Sequence, residues 1–168
     1  MMNERTNSRR FPQRLRHAVL TAHIAMSVGL LGDSAGFLAV AIKAARSGDP
    51  RVMQDLGSVL NMFGMVFGIP LSLGTIITGV LLGLGTKWGV FRYSWVTTKL
   101  LLIVSVMLVG GLVIGPALTV MMKGFGDAMP QLIAAASYDV VALTLATGLS
   151  VFKPGGAFRQ VATASASA

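Results

Sequence analysis

The sequence contains no cysteine. That excludes structural disulfides, thiolate metal centres, cysteine-ligated iron–sulfur clusters and cysteine nucleophiles, and it leaves no thiol from which to read the redox compartment. Charge is also scarce: Asp, Glu, Lys and Arg make up 12% of the 168 residues, against roughly 25% in a soluble globular domain. Sequence signatures of soluble chemistry are missing too, with no Walker loop, no zinc-binding His-Glu-x-x-His and no serine elbow; Gly83, Gly85 and Gly89 sit near a turn, but no strand precedes them. What remains is apolar. Hydrophobic residues are 54% of the chain, the mean hydropathy is +0.72, and the apolar residues are gathered into a few long uncharged runs. An ordinary soluble domain is excluded, and the class indicated is an integral membrane protein.

A membrane-crossing helix needs about 20 mainly apolar residues, and four stretches supply them. They lie at about 17–42, 56–86, 95–122 and 131–152. The first is interrupted only by Asp33, the second holds no Asp, Glu, Lys or Arg, the third carries Lys99 near its start and the fourth contains Asp139. The second is longer than the hydrocarbon core and should tilt, kink or extend beyond it, with Pro70 as the expected kink. The pattern predicts an all-α, four-helix transmembrane bundle over residues 17–152, preceded by a basic segment at 1–16 and followed by a Gly-, Ala- and Ser-rich tail at 153–168 expected to be disordered.

The net charge of +8 is carried by residues that flank the apolar runs. Arg5, Arg9, Arg10, Arg14 and Arg16 precede the first run, Lys87 and Arg92 follow the second, and Lys153 and Arg159 follow the fourth; Lys43, Arg46, Arg51 and Lys123 collect on the other side. The excess of basic residues on one side predicts both termini in the cytoplasm. Such flanks hold against anionic lipid, and with no aromatic interleaving and no recognisable nucleic-acid module, nucleic acid is not an expected partner. Trp88, Tyr93 and Trp95 surround the second cytoplasmic turn, at the depth amphipathic rings prefer. A rival reading takes the first span as a cleaved signal peptide ending in the small-x-small sequence Ala39, Val40, Ala41; the span is too long for that, and it carries His23 and Asp33.

Helices in lipid pack through small residues. Gly32 and Gly36 form one such pair, Gly111 and Gly115 another, while Gly64, Gly68, Ser72, Thr75, Gly79 and Gly83 make a stripe on the second span and Ala135, Asp139, Ala142, Ala146 and Ser150 one on the fourth. Polar groups inside the membrane are costly and mark function or internal pairing. Alternating span directions and a rise of about 1.5 Å per residue sort them into two layers. His23 and Lys99 fall toward the cytoplasmic side. Asp33 and Asp139 fall near mid-membrane, slightly toward the outside, and Asn61 is an uncharged fifth polar residue within the spans.

Each layer admits a functional and a structural reading. His23 either ligates a haem or another metal, with Lys99 supporting a propionate or giving a second ligand, or is a hydrogen-bonded core histidine beside a lysine that snorkels to the headgroups. Asp33 and Asp139, if close, cannot both ionise comfortably and would suit proton or cation passage; otherwise they never meet, and each is simply protonated or bonded to Ser34, Asn61 or Thr144.

Two stretches, TAHIAMSVGLLG from Thr21 to Gly32 and LGTKWGVFRYSWVTTKL from Leu84 to Leu100, resemble a family of small, uncharacterised bacterial integral membrane proteins with four spans, common in actinobacteria. Leu30 stands where that family usually has Trp, Lys87 where it has Pro, and Asp33 where it has a small apolar residue. More distantly, a histidine on the first span and the Trp95-x-x-x-Lys99-Leu100 opening of a later one resemble copper-resistance D and HemJ-type membrane proteins. That resemblance implies haem or porphyrin chemistry at His23 and Lys99, although the neighbouring Trp-x-Gly-Gly pattern is missing. The expectation is a small multi-pass protein of the bacterial cytoplasmic membrane, a non-enzymatic subunit or partner-binding module that associates with another membrane protein or with itself. The alternatives are a haem-binding or redox protein using His23 and Lys99, and proton or cation passage through Asp33 and Asp139.

Overall fold

A computed structural model describes residues 12–85 and 94–152. Arg5, Arg9, Arg10, Lys87, Trp88, Arg92, Tyr93, Lys153 and Arg159 lie outside the described residues, as does the tail expected to be disordered. Four helices, Gln13–Ser47, Pro50–Gly85, Ser94–Met122 and Met129–Phe152, are each long and apolar enough to cross a membrane, and the described residues contain no strand. The protein is an all-α four-helix transmembrane bundle.

Local chemistry sets the reversals between helices. Gly48 closes the first helix at φ 65°, a left-handed conformation that glycine adopts without steric cost. Asp49 then opens the second: its carboxylate accepts the Arg51 N–H at 2.9 Å, and Pro50 occupies the first helical position, where no N–H is needed. Two residues therefore turn the chain back on itself. Between the third and fourth helices Gly124 takes a similar role at φ 83°.

The helices form a ring in chain order. The first packs along the second and the fourth, and the third closes the ring against both of these. Register between the first and second is antiparallel: Asp33 meets Gly68, Gly29 meets Leu71, Met26 meets Gly74 and His23 meets Thr78 and Gly79. From Gly68 onward the small-residue stripe of the second helix is thus the seam against the first, with Ser72, Thr75 and Gly83 buried, whereas a Cβ at Gly64 would meet nothing within 4 Å. The Gly32/Gly36 pair behaves differently. A Cβ at either position would meet nothing within 4 Å, so the first helix turns this pair away from its neighbours. Gly111 likewise faces open space, and Gly115 approaches only the Gly110 carbonyl of its own helix.

Both central helices carry a widened turn. The second contains a π turn at Gly64–Gly68 and the third one at Gly110–Ile114. Each ends immediately before the residue that precedes a proline: Ile69 N–H donates to the Gly64 carbonyl ahead of Pro70, and Gly115 N–H to the Gly110 carbonyl ahead of Pro116. Proline supplies no N–H and its ring crowds the carbonyl four residues back, and the five-residue spacing accommodates both defects. Pro116 does for the third helix what Pro70 does for the second.

Two apolar clusters hold the ring together. One, centred on Phe37, Ala41, Leu60, Leu118, Met121 and Leu132, lies toward the turns at residues 48–49 and 123–128. The other joins Leu30, Ile103, Val106, Ala142 and Leu143 farther along. Ile24, Val28, Val66, Ile77, Leu101 and Leu112 point outward, an apolar surface that lipid solvates as readily as it does the interior.

Candidate functional site

Between the two apolar clusters the packing opens into a cavity of about 470 Å³ to which all four helices contribute. Both π turns line it, and so do Asp33, Asn61 and Asp139, from the first, second and fourth helices. The glycines of the π turns make this possible. At Gly68 the Oδ2 atom of Asp33 stands 3.4 Å from where a Cβ would be, so the carboxylate rests against the backbone of the widened turn. Ser34 and Ser72, both buried, complete the polar part of the wall.

The carboxylates differ in exposure and share one defect. Asp139 is 7% exposed, on the face of the fourth helix that also buries Ala135 and Ala142; Asp33 is half-buried. In each the Oδ1 atom is buried without a hydrogen-bond partner among the described residues. The Thr144 hydroxyl does not satisfy Asp139, because it donates to the Val140 carbonyl of its own helix at 2.7 Å. Buried polar atoms in proteins are nearly always paired, so an unpaired, enclosed oxygen on each of two cavity-lining carboxyl groups is a cost that the packing of the bundle does not offset.

The other layer is built from lateral clasps. His23 Nδ1 lies 2.9 Å from Thr78 Oγ1, joining the first and second helices. The Thr78 hydroxyl donates to the Gly74 carbonyl at 2.6 Å, so the imidazole is the donor through Nδ1 and keeps its lone pair on Nε2. Lys99 Nζ donates to Ser150 Oγ at 3.1 Å and stands 4.6 Å from the centre of the Trp95 ring, joining the third and fourth helices. No group of three or more His, Cys, Asp or Glu side chains able to hold a metal ion occurs among the described residues.

Two features of the site escaped the sequence reading. One is the contact of Ser105 Oγ with Tyr138 OH at 2.6 Å, a further tie between the third and fourth helices; the signal was a tyrosine within an apolar run, whose hydroxyl needs a partner. The other is the second π turn. Gly64 to Pro70 and Gly110 to Pro116 have the same glycine-then-proline layout, and paired glycine- and proline-interrupted spans are a pointer to an intramembrane site.

Residues 17–154 match the family model described as "Predicted integral membrane protein (DUF2269)". The chain belongs to this family. In this DUF2269 protein the matched region contains every residue of the cavity wall and both lateral clasps. Comparison with curated proteins and with solved structures finds no match.

Proposed function

We propose that the protein is a non-enzymatic binding module of the bacterial cytoplasmic membrane, with both termini on the cytoplasmic side, and that its mid-membrane cavity takes a cation at Asp33 and Asp139. The observation that carries this reading is the convergence of Asp33, Asn61 and Asp139 on one cavity with an unpaired oxygen on each carboxylate. An isolated carboxylate in hydrocarbon is strongly disfavoured. A cation in the cavity is therefore the partner that lets a carboxyl group here lose its proton. Placement in a bacterial membrane follows the basic flanks and the likeness of residues 21–32 and 84–100 to small membrane proteins common in actinobacteria.

Dicyclohexylcarbodiimide tests the reading, since it is an apolar reagent that modifies neutral carboxyl groups in hydrophobic surroundings. Treatment of the purified chain should give a covalent adduct that peptide mapping places on Asp139 or Asp33, and the Asp33→Asn/Asp139→Asn double variant should give none. A chain whose intramembrane acids never react would remove the cation site.

The haem reading rests on the distant likeness to copper-resistance D and HemJ-type proteins. His23 offers Nε2 as a ligand atom, but its ring is packed so closely on the second helix that a Cβ at Gly79 would lie 3.2 Å from Cε1, and Lys99 is engaged with Ser150 and Trp95. We expect protein purified after haem-supplemented expression to show no Soret band. A band that shifts on dithionite reduction and is lost in His23→Ala would reverse this.

A further inference from the structure

We propose that the cation taken by this cavity is a lipophilic organic one, a single positive centre on an apolar body, and that it enters sideways from the bilayer between the second and third helices. The inference rests on the cation-site reading above and names the class of ligand. Inorganic ions are disfavoured by the wall: among the described residues no three His, Cys, Asp or Glu side chains gather to hold a metal ion, and the polar groups are set among Leu30, Phe37, Met65, Ile69, Val106 and Leu118. The volume of about 470 Å³ falls within the roughly 300–1,000 Å³ of small-molecule sites. It would leave a bare ion surrounded by void.

Charge selects the sign. Asp139 is 7% exposed and lines the cavity; a cation compensates the carboxylate left when this acid gives up its proton, which neither an anion nor a neutral guest does. Met65 and Met107 on the wall are unbranched and adaptable, suited to guests of varied shape.

The route follows from the π turns. Gly64, Gly110 and Gly111 line the cavity, and a Cβ at any of them would meet nothing within 4 Å. Beside them Met65 is 60% exposed and Ile69 49% exposed, and both line the cavity. The two glycine-rich turns therefore leave the side of the cavity between the second and third helices without covering side chains. A molecule already dissolved in the membrane reaches the carboxylates without crossing water.

The test is binding of radiolabelled tetraphenylphosphonium to the full chain in nanodiscs, with tetraphenylborate, which has the same shape and the opposite charge, as control. Saturable binding of the cation alone is expected, weakened roughly tenfold or more in Asp139→Asn, the size of one lost charge-assisted contact. Gly110→Leu, placed where the backbone has free space, should fold normally and weaken binding by filling the cavity. Equal uptake of tetraphenylborate, or unchanged binding in both Asp33→Asn and Asp139→Asn, would overturn the inference. The carbodiimide reaction separates the two proposals. Protection of the acids by tetraphenylphosphonium supports both. An adduct on Asp139 with no tetraphenylphosphonium binding removes the organic ligand and leaves the cation site; neither adduct nor binding removes both.

Discussion

At the scale of single residues, Asp139 is a side chain that the stability of the bundle does not explain. Asp139 is nearly fully buried, carries an unpaired oxygen and sits beside empty volume. Burying a polar group without a partner costs about 1–3 kcal/mol by protein mutational data, and the cavity gives a larger apolar side chain room to settle. Asp139→Leu should therefore raise the thermal unfolding midpoint in detergent while abolishing tetraphenylphosphonium binding. A drop in the midpoint would show instead that the carboxylate supports the fold. The glycines give the complementary contrast. At Gly79 an added Cβ lies 3.2 Å from His23 Cε1, while at Gly36 it meets nothing within 4 Å. Gly79→Ala should destabilise by about 1 kcal/mol, at the low end for overpacking. Gly36→Ala should be neutral or slightly stabilising, because alanine is the better helix former. Equal midpoints for the two variants would mean that the ring of His23 yields freely.

At the scale of elements, the first reversal and the π turns are readable in different degrees. The Gly48, Asp49, Pro50 sequence names a helix end, a helix cap and a first helical residue in order, and Asp49→Ala should lower stability by about 1 kcal/mol through loss of the bond from the Arg51 N–H, measured by thermal unfolding. Pro70 signals a distortion in the same direct way. Pro116 carries the same signal, yet what decides its consequence is a backbone spacing four to five residues upstream and the helix that faces it. Those are three-dimensional facts. The small-residue pairs show the limit most plainly: Gly32/Gly36 and the stripe from Gly64 to Gly83 have the same spacing, yet only the stripe, and only from Gly68 onward, is a seam. Spacing tells which residues share a face, and it does not tell toward which neighbour that face is turned.

At the scale of the whole molecule, the four apolar runs and the intramembrane acids were legible because each is a one-dimensional property, length without charge or charge within length. That the two acids line one cavity depends on the rotation of the first and fourth helices, which nothing in a single sequence fixes. The remaining global property is orientation, and the absence of cysteine makes it cleanly measurable. Single-cysteine variants Ser47→Cys and Asp127→Cys mark one end of the bundle, and Ser94→Cys marks the other. The excess of basic residues at the termini and the second loop predicts that a membrane-impermeant maleimide added to intact cells reacts at 47 and 127, and reacts at 94 only after permeabilisation. The opposite pattern would place both termini outside. The answer also sets where a lipid-borne cation arrives: Asp33 lies a few residues beyond the middle of the first apolar run, about 5 Å past the midplane at 1.5 Å per residue, on the side of the Gly48 turn. With cytoplasmic termini that is the outer leaflet, so tetraphenylphosphonium added outside should protect the carboxylates sooner than the same compound loaded from within.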